Sequence, residues 1–125
     1  MDIRVKATNY EMTPEIENYL NERINTLPKF LGSNADLTRC EVEIGRDAGR
    51  PRHGANIWFA EIRLVIPGED AVYARNNSES VNGAIDDVKQ EIERQLRKVK
   101  RREIQGSRRV GAKIKEWLWW GQSSS

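Results

Sequence analysis

The chain has 125 residues and a formal net charge of +2 that conceals a division: residues 1–88 hold 10 Lys/Arg against 15 Asp/Glu, whereas residues 89–125 hold 11 against 4. That length suits one domain with its own core, and the polarity of the amino terminus excludes a signal peptide or membrane span, so no membrane partner is expected. The one cysteine, Cys40, excludes an internal disulfide and a cysteine-built zinc site and fits a reducing compartment, which makes the cytoplasm the expected location.

In chain order, Asp2 to Thr8 alternates as a strand, with Ile3, Val5 and Ala7 on one face and charged or polar residues on the other. Thr13-Pro14 opens a helix, because Thr caps free amides and Pro at the first position loses no hydrogen bond. Its stripe is Ile16, Tyr19, Leu20, Ile24, Leu27 and Leu31, and Pro28 is expected to end or kink it near Leu27. A second strand runs from Leu37 to Ile44, with Thr38, Cys40, Val42 and Ile44 inward. The Gly-, Pro- and Arg-rich run from Gly45 to Gly54 is a long hairpin loop by composition. A third strand from about Ala55 to Ile66 places Trp58, Ala60, Ile62, Leu64 and Ile66 in the core and leaves Ile57, Phe59 and Val65 on the outer, exposed face. Pro67-Gly68 turns the chain into a fourth strand, Ala71 to Asn76.

Ser78 or Ser80 then caps a long helix, Ala84 to Arg102. Val81, Ile85, Val88, Ile92, Leu96 and Val99 stack on one side of it, while Arg94, Arg97, Lys98 and Arg101 form an arc of about 100° roughly opposite. Such a helix anchors itself to a sheet and holds cations outward, an arrangement suited to a polyanion. One apolar stripe per helix and one apolar face per strand are satisfied together by an α+β fold. Its four-stranded mixed sheet carries two α-helices on one face, in the order strand-helix-strand-strand-strand-helix.

Ala84-Ile85-Asp86, followed by Ile92-Glu93-Arg94-Gln95-Leu96-Arg97-Lys98 and Lys100, resembles the second-helix signature of the ribosome hibernation factor family. That family is also labelled ribosome-associated inhibitor or sigma-54 modulation proteins. The hairpin around Leu64-Val65-Ile66-Pro67-Gly68 and the stretch Leu27-Pro28-Lys29-Phe30 are similar to it too, and the likeness covers about Met1 to Glu103. The resemblance implies the short form of the family and a non-enzymatic protein without cofactors. It further implies binding to rRNA of the small ribosomal subunit near the decoding region, where such a factor occupies space needed by tRNA and mRNA. The chain departs from the family pattern at Val81-Asn82-Gly83, where aromatic and alanine residues are usual, and at Glu91, where a lysine is usual; Lys89 lies two residues before.

The residues expected to contact RNA are Arg94, Arg97, Lys98 and Arg101, flanked by Lys89, Lys100, Arg23 and Lys29; DNA is not expected. Taken alone, a cationic helix face is more often merely solvated, and the clustering together with the signature favours RNA. His53, in the loop and without a companion histidine, makes no metal site, and Cys40 on an inward strand face is core rather than a nucleophile. Glu41 and Glu43 share an outward face without a neighbouring base, and the Arg50-Pro51-Arg52 turn reads as solvated. No nucleophile-base pair, phosphate loop or metal spacing marks an enzyme. The alternative function is a protein-binding regulator acting through the exposed sheet face or the acidic front half.

Residues 1–103 are the expected ribosome-binding domain, and 104–125 a basic tail in which Trp117, Trp119 and Trp120 demand a partner. Three outcomes compete for them: docking on the chain's own sheet face at Ile57, Phe59 and Val65; binding a second copy, giving a homodimer, or a ribosomal protein; and stacking on unpaired rRNA bases. Docking on a protein surface ranks first, because two apolar features would cover each other.

Overall fold

A computed structural model describes residues 1–47 and 56–100. Alternating side chains make strands β1 (Asp2–Thr8), β2 (Arg39–Arg46), β3 (Trp58–Val65) and β4 (Val72–Ser78); the 3.6-residue stripes make helices α1 (Pro14–Ile24) and α2 (81–100). The sheet order is β1-β2-β3-β4, with β1 parallel to β2 and the other pairs antiparallel. Leu20 and Ile24 of α1 and Ala84, Ile85, Val88, Ile92 and Leu96 of α2 join the inward residues of β2, β3 and β4 in one buried cluster. Both helices therefore cover the same face of the sheet, as the expected α+β arrangement requires.

The local signals act largely where expected. Thr13 Oγ1 accepts from the Ile16 amide at 3.2 Å and caps α1. Glu69 N donates to Ile66 O at 3.1 Å across Pro67-Gly68, with Gly68 at φ +76°, the sign required at that turn position. Inward residues Cys40, Ile44, Ile62 and Leu64 are wholly buried.

Several expectations need correction. Helix α1 ends at Ile24, not near Leu27, because the next amides fold back three residues rather than four. Thr26 N and Leu27 N reach Arg23 O and Ile24 O at 3.3 and 2.9 Å, and Thr26 Oγ1 also takes Arg23 O at 2.8 Å. Pro28 opens a 3-10 turn, Pro28–Phe30, instead of closing the helix, and a second one spans Gly32–Leu37. Consequently Leu37 lies outside β2 and is 70% exposed, while Gly45 and Arg46 extend β2 into the expected loop. From Ala48 on, that loop, including Arg50, Arg52 and His53, lies outside the described residues, and β3 begins only at Trp58. Finally, Phe59 does point to the outer face, but it is buried: the Arg75 guanidinium sits 4.1 Å above its ring. Arg75 is itself held by Asp47 at 2.6 Å and Glu61 at 3.4 Å, so charged side chains rather than solvent meet this aromatic.

Candidate nucleic-acid interface

Helix α2 starts where Ser80 Oγ accepts from Gly83 N at 3.0 Å. A Cβ on Gly83 would lie 2.4 Å from Ser78 Oγ and 3.1 Å from Ser80 Oγ, so the two serine hydroxyls fill the space an alanine methyl would need. From this start, the buried stripe from Val81 to Leu96 fixes the rotation of α2 and thereby decides which side chains face outward.

Arg94, Arg97, Lys98 and Lys100 are exposed, as expected, and Lys89 is half-buried; Arg101 lies outside the described residues. The arc does not act as one row, however, because the carboxylates of α2 divide it. On the side towards α1, Glu93 takes Lys89 Nζ at 2.9 Å and lies 3.6 Å from Arg97 NH2, with Thr26 Oγ1 at 3.4 Å. Arg97 also lies 5.7 Å from the ring centre of Phe30, which Lys29 approaches at 5.2 Å. The 3-10 turn after α1 thus brings Lys29 beside Arg97, two cations on one aromatic ring.

Further along the same seam, Arg23 lies 3.4 Å over the Tyr19 ring and donates to Asp86 Oδ1 at 3.2 Å, and Tyr19 OH donates to Asp86 Oδ2 at 2.6 Å. That hydrogen bond, with desolvation next, raises the Tyr19 phenol above its ordinary range and keeps it a donor. Arg23, Lys89, Arg97 and Lys29 therefore lie along one α1/α2 seam.

Arg94 sits on the other side. Its guanidinium forks onto Glu91, with Nε to Oε2 at 2.9 Å and NH2 on Oε1, and lines an open cleft of about 390 Å3 with Asn76, Asn77, Asp87, Gln90 and Glu91. The Arg94 hydrogen bonds, then one from Gln95, pull the Glu91 carboxyl down to about 2. Lys98 also faces this flank, lining a smaller groove with Glu69, Asp70 and Gln95. The acid at position 91 thus neutralises the cation nearest to it. Lys29, Lys98 and Lys100 make no ion pair among the described residues.

Reasoning from residue types alone passed over Asp86, Glu93, Tyr19 and Phe30 as site residues. The spacing of Lys89, Glu93 and Arg97, four apart each time, was the available signal for the first pairings; nothing local links Tyr19 to Asp86 across 67 positions. The tail with Trp117, Trp119 and Trp120 lies outside the described residues. Among the described residues no group of His, Cys, Asp and Glu is placed to hold a metal ion, and no helix is long and apolar enough to cross a membrane. Cys40 is buried, and desolvation, helped by Glu41, pushes its thiol up to about 12.

No curated protein sequence matches the chain. The N-terminal domain of Thermus thermophilus Protein Y has a similar solved structure, with TM-score 0.59 and 22% identity, covering 81% of this chain and 98% of that one. A ribosomal subunit interface protein from Coxiella burnetii is similar at TM-score 0.63 and 14% identity, covering 80% and 98%. At such identities the two share the fold with this chain. The sequence profile described as "Sigma 54 modulation protein / S30EA ribosomal protein" matches residues 3–104, which span the sheet and both helices, and the chain belongs to that ribosome-associated family.

Proposed function

We propose that the protein is a non-enzymatic hibernation factor. It binds rRNA of the small ribosomal subunit near the decoding region through the outer side of α2 and the α1/α2 seam, and it blocks tRNA and mRNA by occupying their space. The observation that carries this proposal is the outward set Arg97, Lys98 and Lys100 on a helix whose opposite side is locked into the core, joined by the exposed Lys29 from the 3-10 turn after α1. Affinity then comes mainly from counterion release at phosphates, with shape rather than base edges recognised, because a rigid helix face meets the RNA backbone first. The outer sheet face fits a partner less well, since Arg75, Asp47, Glu61 and Thr8–Glu43 already satisfy one another there.

Sedimentation with purified small subunits tests it. Co-migration should fall steeply with salt, and Arg94, Arg97, Lys98 and Arg101 all changed to Ala should weaken binding by about tenfold or more. A salt-resistant complex with a free protein would instead support the protein-binding regulator. Unchanged subunit affinity in the four-cation variant would overturn the proposed site. The site is assigned to residues 1–103 and not to the tail, so truncation after Glu103 should retain subunit binding.

A further inference from the structure

Two carboxylates lie within the cationic seam, where simple electrostatics would exclude them: each repels RNA phosphate. Glu93 is 13% exposed at its side chain and gathers Lys89, Arg97 and Thr26. Asp86, one heptad earlier on the same flank of α2, holds Arg23 through Nε and Tyr19 through its hydroxyl, with Arg23 stacked on the Tyr19 ring. The seam therefore alternates a carboxylate with the cations it grips, and those cations come from two different helices.

We propose that Asp86 and Glu93 are positioning residues, which fix Arg23, Lys89 and Arg97 at set places along the seam for rRNA phosphates. The inference rests on the RNA-binding function proposed above. Lys and Arg side chains are rich in rotamers, and a free one loses much of that entropy on binding; a side chain already tethered in the unbound protein loses less. For Arg23, the Tyr19 ring on one side, Asp86 at Nε and Glu22 at NH1, 3.2 Å away, leave NH2 as the edge without a hydrogen-bond partner among the described residues, a fork end suited to a phosphate oxygen. The cost is one negative charge near each contact. Positioning is the better account of these acids because each is bonded beyond its own helix, Asp86 to Tyr19 and Arg23 of α1 and Glu93 to Thr26 in the turn after α1.

Asp86→Asn and Glu93→Gln separate the two effects, since each adds one unit of positive charge while keeping side-chain shape. Binding of the full chain to small subunits is measured over a salt series, with thermal unfolding as the check on folding. Positioning expects affinity lower by about tenfold, and a log affinity against log salt slope shallower by about 0.7 to 0.9 for each cation released, despite the added charge. Folded variants that bind as tightly as the parent or tighter, with an equal or steeper slope, overturn it. Should Asp86→Asn fail to fold, Tyr19→Phe alters no charge and removes one tether; weaker binding supports the role of Asp86, and unchanged affinity overturns it. A parent protein that does not bind small subunits, or a four-cation variant that binds like the parent, defeats the function itself, an outcome distinct from tight binding by the two carboxylate variants.

Discussion

Gln95 closes the open edge of the sheet at Tyr73: its Nε2 donates to Tyr73 O at 2.8 Å while its Oε1 accepts from Tyr73 N at 3.4 Å. A helix side chain thus takes the place that a fifth strand would occupy next to β4, an amide standing in for a peptide. Unpaired strand edges invite pairing with other chains, and this contact blunts one. Gln95→Leu keeps the size and removes both bonds. Stability should fall by about 1 kcal/mol in urea unfolding, and light scattering should show more self-association at high concentration.

Glu91 supplies the pH prediction. Its pKa in the folded protein is lowered, to about 2, by the Arg94 and Gln95 hydrogen bonds, so its pairing contributes stability above the ordinary carboxylate range and loses it as pH falls through about 2. The Glu91–Arg94 fork should therefore persist at pH 4, with an NMR titration midpoint well below that of a free glutamate. Glu91→Gln should release Arg94 and steepen the salt dependence of subunit binding by up to about one phosphate's worth, in the direction opposite to Glu93→Gln.

Gly45 has no room for a side chain. A Cβ there would lie 1.8 Å from the carbonyl oxygen of Thr8, its partner across the β1–β2 pair. Backbone cannot rotate away as a side chain can, so Gly45→Ala should displace the end of β1 and cost about 3 kcal/mol. Denaturant melts would measure the loss, and amide exchange should quicken first in β1.

Cys40 should be inert while the protein is folded. Its thiol is raised to about 12 by burial, so thiolate is scarce at pH 8 and any stability gained from keeping the thiol neutral disappears only as pH rises from the ordinary thiol range towards 12. Reaction with a thiol reagent at pH 8 should proceed at the rate of unfolding or local opening and become fast in denaturant.

Much of this fold was legible because burial follows periodicity. The alternation through Thr38, Cys40, Val42 and Ile44 and the stripe from Val81 to Leu96 each placed every member inside. What escaped depended on distant partners. Phe59 was assigned to the correct face and the wrong environment, because its cover, Arg75, arrives from β4 by a register that composition does not specify. The end of α1 was misplaced since Pro28 marks where an α-helix cannot continue, whereas Thr26 had already drawn the chain into a tighter turn. The cationic arc of α2 was drawn correctly as angles, but its division between Glu91 and Glu93 needed the flanking elements, Tyr73 on one side and Thr26 with Phe30 on the other.

The parallel β1–β2 pair also sets the order in which the chain can assemble. Each β1 residue meets one 37 positions later, from Asp2 with Arg39 to Thr8 with Gly45, and all of α1 lies in between. The β3–β4 hairpin, by contrast, closes across Pro67-Gly68 over a few residues and forms at little loop entropy. Nucleation thus belongs to the hairpin and the helix that follows it, and β1 joins late, at the sheet's edge. A lesion in β1 such as Ile3→Ala should hasten unfolding while leaving the folding rate nearly unchanged, whereas Ile62→Val should slow folding.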